Sequence, residues 1–232
     1  FGPTSHASQA YEFSVAPWHF GQLLTPYLAG RTYPQNTRWT NAIVYEPRMW
    51  TPTLYCGLLP SIIFLASLTR FKMWSAWFWL AIFAAACSLG SWGIYSWLIE
   101  IFPGYGQFRY PAKWLPLLTL CLVVGSTNQL VALAPDLLRN IRSCLFGTIV
   151  VCCVLVVSSF FPVTCSRLVE RLIELRTILP DRFAGPFQSQ LAWQQIQFSA
   201  LQTTAVAIAL WILFRKNNLP AILLSSLPSE HP

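Results

Sequence analysis

One run of nineteen residues, Ser143–Phe161, reads SCLFGTIVVCCVLVVSSFF and contains no charged side chain. About 20 apolar residues wound as a helix cross a hydrocarbon layer of ~30 Å, and such a run has no comfortable place on a water-facing surface. Its proline, Pro162, marks the end. The run is not isolated. Of 232 residues, 55% are hydrophobic and 10% charged, against about 25% charged in an ordinary soluble domain. The apolar residues are gathered into further blocks at about Thr53–Leu68, Met73–Leu89, Trp114–Leu133 and Ser199–Phe214. The expected fold class is therefore all-α, a polytopic transmembrane helix bundle of about five spans with extracytoplasmic interfacial segments.

Three features complicate these blocks. Pro60 lies inside the first and is expected to kink it, because proline removes a backbone hydrogen bond. The first two blocks are separated by a few residues including Arg70 and Lys72, which predicts a tight helical hairpin. The third turns polar at Ser126, Thr127, Asn128 and Gln129; these either cap a shorter helix or hydrogen-bond to neighbouring helices. Asp136, Arg139 and Arg142 are expected to form the following loop.

Domain organisation follows from the blocks. Residues 1–50, polar, aromatic and rich in Pro and Gly, form an extracytoplasmic segment with short helical turns, one over Trp18–Leu28. Residues 51–142 hold the first three spans with an outer loop at 90–113, within which YSWLIEIF makes a turn or two of interfacial helix. Residues 143–232 hold the last two spans and an amphipathic segment, 163–197. In that segment Leu168, Leu172, Leu175 and Leu179 form one helical stripe, while Arg167, Glu170, Arg171 and Glu174 pair at i, i+3. The stripe fits a helix lying on the membrane surface or one packed on the bundle. The chain opens on Phe1 and closes shortly after LPAILLSSLP; both ends read as cut, so a piece of a longer polytopic protein is expected.

Charge sets the orientation. The formal net charge is +7, yet the cations lie in ones and twos at the ends of apolar runs and form no patch of the kind nucleic acid requires. Arg70 with Lys72, Arg139 with Arg142, and Arg215 with Lys216 fall on one side if the spans alternate. The excess of Lys and Arg on cytoplasmic loops makes that side cytoplasmic, with the N-terminus outside.

The outer loop is more elaborate than a turn needs. FPGYGQFRYPAKW, residues 102–114, combines aromatic rings, Pro, Gly and two cations. Amphipathic rings favour the headgroup layer, and Arg109 and Lys113 can lay their stems on apolar surface with the charge in water. Two readings stand side by side. In one the loop only anchors the depth of the third span. In the other Arg109 and Lys113, with Tyr110, bind an anionic group such as the phosphate of a lipid, Arg by bidentate contact and Lys as a point charge.

Other chemistry finds little footing. The seven cysteines, mostly inside the apolar runs, lack metal-ligand spacing and read as small packing residues. His6, His19 and His231 are scattered, so neither a metal nor another cofactor is expected. No P-loop, G-x-G-x-x-G or G-x-S-x-G occurs. No ionisable residue lies at the centre of an expected span, which counts against ion-coupled transport.

Two motifs carry a family resemblance. MWTPTLYCGLLPSIIFLASL, with Trp50, Pro52, Leu54, Tyr55, Gly57, Leu58, Leu59 and Pro60, and FPGYGQFRYPAKWLPLLTLCLVVG, with Pro103, Gly104, Phe108, Arg109, Tyr110, Pro111, Ala112 and Lys113, resemble the YfhO-like family of bacterial polytopic membrane proteins. PWHFGQLLTPYLAG resembles the segment ahead of those helices. The likeness covers most of residues 12–135 and fades beyond. Members look like relatives of the GT-C glycosyltransferases, so the resemblance implies a multi-pass protein of the bacterial cytoplasmic membrane. The implied activity uses a polyprenyl-phosphate-linked sugar at the outer leaflet. It also implies a catalytic acid in an earlier loop. Glu12, Glu46 and Glu100, the acids expected outside before the fourth span, stand in no D-D, D-x-D or E-x-D arrangement. A non-catalytic scaffold or flippase-like component is the alternative.

Overall fold

The computed structural model describes residues 10–31, 34–42, 51, 53–68, 75–102, 104–105, 110–131, 135–161, 167, 171 and 185–215. Among them the chain is helical and holds no β-strand: α1 (Leu58–Ser67), α2 (Ala76–Ser88), α3 (Tyr95–Ile101), α4 (Leu115–Val131), α5 (Pro135–Val157) and α6 (Ser189–Arg215), with 3-10 turns at Pro17–Leu23, Trp39–Ala42, Gly90–Trp92, Pro111–Trp114 and Ser158–Phe160. Among the described residues three helical stretches are long and apolar enough to cross a membrane: Pro111–Val131, Leu137–Val157 and Ser189–Arg215. At ~1.5 Å per residue, α1 and α2 are apolar but only about 15 and 20 Å long.

The helices pair, α5 with α6 and α2 with α4, and α1 touches α4, α5 and α6. Two apolar cores result. Leu58, Ile62 and Ile63 of α1 meet Leu137, Ile141 and Leu145 of α5 and Phe214 of α6. Ala81 and Ala84 of α2 meet Leu115, Leu118 and Leu122 of α4, with Val15 and Leu54 closing over them.

Polar contacts fix which ends lie together. At one end Asn140 Nδ2 donates to the Ala66 carbonyl (3.3 Å), and Arg142 donates from Nε (3.2 Å) and Nη2 (2.8 Å) to the Phe214 carbonyl. Ser67 Oγ meets Gln129 Oε1 at 3.2 Å, and Ser75, the residue capping α2, lines a cavity of about 10 Å³ with Ser67 and Gln129. So the ends of α1, α4 and α6 lie beside the starts of α2 and α5, and the five run alternately up and down. Cations near helix C-termini offset orphan carbonyls, which is the position of Arg142 beside α6.

The opposite end is covered by residues 10–42. Gln22, fully buried, accepts the Leu54 N–H through Oε1 (3.1 Å) and places Nε2 3.2 Å from His19 Nδ1. An amide nitrogen donates, so Nδ1 accepts and the His19 ring proton sits on Nε2. Val15 N–H donates to the Ser88 carbonyl at the end of α2 (2.9 Å), Thr203 Oγ1 of α6 reaches the Leu24 carbonyl (3.5 Å), and Gln188 N–H donates to Asn36 O (2.9 Å). The expected helical turn over Trp18–Leu28 is present as the 3-10 turn Pro17–Leu23.

Several boundaries differ from the sequence reading. The first helix starts at Leu58, not Thr53; Gly57 at φ 111° turns the chain and Thr53–Gly57 is non-helical. Pro60 therefore falls in the first turn, where the N–H has no intrahelical partner, so the expected kink is replaced by a helix start. Arg139 and Arg142 belong to the opening turns of α5, not to a loop, because Pro135 starts the helix early. Ser126 and Thr127 do not end α4: both hydroxyls bond the Val123 carbonyl (2.9 Å each), and Gln129 joins α1, so the polar run is absorbed inside the helix. The last helix begins ten residues before Ser199, at Ser189. Arg70, Lys72, Lys216, LPAILLSSLP and most of 163–184 lie outside the described residues.

Candidate functional site

The described residues of the 90–113 loop lie where the N-terminal cover, the end of α2 and the start of α4 meet. Gly90 adopts φ +60°, and a Cβ there would lie 1.9 Å from Ser14 Oγ and 3.2 Å from Pro111 Cγ. No side chain larger than hydrogen lets those three segments close together. Pro111 and Ala112 are buried, which pins the 3-10 turn Pro111–Trp114 against the cover.

Tyr110 precedes that turn at φ +72°, ψ +87°. A bulky residue at positive φ is uncommon and stores on the order of 1–2 kcal/mol. Its surroundings hold it there: Phe13, itself at φ +61°, meets the ring edge-on at 4.9 Å between centroids, and the Tyr110 carbonyl accepts the Lys113 N–H (3.0 Å). The result swings the phenol ring back over the turn, with Lys113 Nζ 5.3 Å from its centroid. Lys113 is exposed, so the ring takes one side of the ammonium and leaves N–H donors for a ligand. Lys113 also stands at the start of α4, the positive end of its dipole, where a cation is unfavourable by itself and an anion is doubly attracted.

Behind this cation lies an aromatic wall. Tyr95 of α3 is 1% exposed and contacts Tyr11 (6.3 Å) and Tyr105 (5.4 Å). Trp114 Nε1 donates to Tyr105 Oη (3.1 Å), and Phe83 meets Trp114 edge-on at 5.4 Å. Burial, with the neighbouring Tyr105 and Tyr11 adding to it, pushes the Tyr95 phenol up to about 12. Burial also raises Tyr105, partly offset by the Trp114 hydrogen bond.

The structure thus brings two of the three expected binding residues, Tyr110 and Lys113, into contact; Arg109 lies outside the described residues. Glu100 is exposed on the short α3, whose outward face also carries Trp97 and Ile101. Glu12 is exposed too, and Glu46 falls outside the described residues. Two features were missed by sequence reasoning. Arg38 is only 5% exposed, a cation drawn into the cover, and nothing in the pattern around TRWT distinguishes it from a solvated one. A cavity of about 170 Å³ lies between Thr51–Tyr55 and the first turns of α4. No group of three or more His, Cys, Asp or Glu among the described residues is placed to hold a metal ion.

No protein-family model, curated protein or solved structure matches the chain. Among the described residues the chain is helical, with three helices of membrane-crossing length and composition.

Proposed function

We propose that the chain is a multi-pass integral membrane protein with about five crossings whose outer loop binds the phosphate of an anionic lipid at Lys113. The observation that carries the membrane part is the large apolar surface the helices leave uncovered: Phe146 at 60%, Val154 at 64% and Phe198 at 62% exposure lie on α5 and α6. Small residues sit among the buried leucines and isoleucines, as Gly125 on α4 and Ala200 and Ala207 on α6 do, and such residues let helices approach closely when the surroundings are apolar. A water-facing surface has no use for so much exposed hydrocarbon. The non-helical, mostly half-buried Thr53–Gly57 ahead of the ~15 Å α1 supports a crossing made partly of non-helical chain buried in protein.

The activity this reading favours is that of a YfhO-like, GT-C-related protein, acting on lipid-linked sugars at the outer leaflet of a bacterial cytoplasmic membrane. Its support is the motif resemblance and the exposed ammonium on the Tyr110 ring. A non-catalytic lipid-binding scaffold is the second reading, favoured by the acids near the loop: Glu12 and Glu100 are each solvent-exposed. Farnesyl phosphate and farnesol separate the phosphate claim from simple oiliness. Lys113→Ala is expected to weaken the phosphate roughly fivefold or more and leave farnesol unchanged. Equal binding of the phosphate by a folded Lys113→Ala protein would contradict it. Release of sugar from a polyprenyl-phosphate donor decides between enzyme and scaffold.

A further inference from the structure

The exposed face at the outer end of α4 carries an ordered series of chemistries. Lys113, Pro116, Thr119 and Leu120 are spaced at i, i+3, i+6 and i+7, one stripe of the turn and helix, and all four are exposed. Val123, also exposed, continues it. Going inward from the end, the stripe offers a cation, then a hydroxyl, then hydrocarbon. At ~1.5 Å per residue Thr119 lies about 9 Å below Lys113 and Val123 about 15 Å.

The 170 Å³ cavity opens beside this stripe. Pro116 and Thr119 form one wall with Leu115 and Leu118, and Thr51, Thr53 and Tyr55 lie across from them. Among the described residues no charged side chain lines it. At ~30 Å³ per water it has room for about five waters or a small polar group of that size. Thr51 Oγ1 is buried beside it and has no hydrogen-bond partner among the described residues, an unused donor where an unmade hydrogen bond is costly and within one rotamer change of the cavity.

We infer that this stripe and cavity bind one glycerophospholipid edge-on, phosphate at Lys113, glycerol ester carbonyls in the threonine-lined cavity, and an acyl chain along Leu120 and Val123. The order of the molecule, anion then neutral acceptors then hydrocarbon, matches the order of the stripe. Ester carbonyls accept hydrogen bonds and carry no charge, which suits the hydroxyl donors that line the cavity. The inference rests on the membrane and phosphate reading above and adds to it the diacyl ester class.

The test is lipid retention by the detergent-solubilised full chain, using phosphatidylglycerol and its diether analogue, which keeps the phosphate and chains and lacks the carbonyls. The diester is expected to bind about tenfold more tightly, the worth of one to two neutral hydrogen bonds. Thr51→Val with Thr119→Val should close that gap, Thr119→Ser should keep it, and Lys113→Ala should weaken both lipids equally. Equal binding of diester and diether by the unaltered protein, or a gap that survives the double valine variant, overturns the inference. If the gap is absent while Lys113→Ala still weakens both lipids, the phosphate reading stands and only the ester claim fails. If Lys113→Ala changes nothing, the phosphate reading fails as well. Should the double variant lose helical content, the comparison of diester with diether on the unaltered chain and on Thr119→Ser decides.

Discussion

Gln22 shows how much a single buried amide can hold. Its oxygen takes the Leu54 N–H and its nitrogen faces His19, so Gln22→Leu leaves a buried backbone donor without a partner. The expected loss is about 1–3 kcal/mol, read by denaturant or thermal unfolding in detergent. Tyr95 makes a pH-dependent statement. Its folded value is raised from 10.0 to about 12, chiefly by burial. Below pH 10 the phenol is neutral folded or unfolded, and its stabilisation is whole. Between about pH 10 and 12 the unfolded chain ionises first, so stability falls as pH rises. An alkaline unfolding series should show that loss, and Tyr95→Phe should remove it. At this scale the sequence was partly legible. The aromatic and cationic residues of FPGYGQFRYPAKW single out Tyr110 and Lys113 in the sequence, but their contact depends on a left-handed backbone that no local pattern announces. The Gln22–Leu54 bond spans 32 residues and leaves no periodic trace.

Among the elements, helix existence was readable and helix edges were not. Apolar length gave α1, α2, α4, α5 and α6, and the short interfacial turn Tyr95–Ile101 lies where YSWLIEIF placed it. The edges moved because caps and prolines act locally. Gly57 and Pro60 start α1 late, and Pro135 starts α5 early enough to include both arginines. Arg142 then reaches the last turn of α6 with two nitrogens. Removing it by Arg142→Ala is expected to cost about 1.5–3 kcal/mol and to raise hydrogen exchange at the α6 end. Gly90→Ala should be harsher than an ordinary loop change. It combines a left-handed φ with a Cβ 1.9 Å from Ser14 Oγ, and roughly 1–2 kcal/mol arises from the backbone alone. Limited proteolysis of the N-terminal cover would report it.

For the whole molecule, the alternation of five helices gathers the starts of α2 and α5 with the ends of α1, α4 and α6, while the cover and the aromatic loop share the other end. Of the basic clusters expected on one side, Arg139, Arg142 and Arg215 belong to the first of those ends, while Arg70, Lys72 and Lys216 lie outside the described residues. Which apolar residues stay exposed could not be read from composition, since the face of an apolar helix that looks outward is decided by its neighbours. The most direct test of a membrane-crossing chain with these two ends is impermeant maleimide labelling in intact cells, in a background without native cysteines. Glu100→Cys reports the loop end and Val131→Cys, at a site 83% exposed at the end of α4, reports the basic end. Labelling of position 100 in intact cells, and of position 131 only after permeabilisation, is the expected result. Labelling of both positions from the same side would contradict the account.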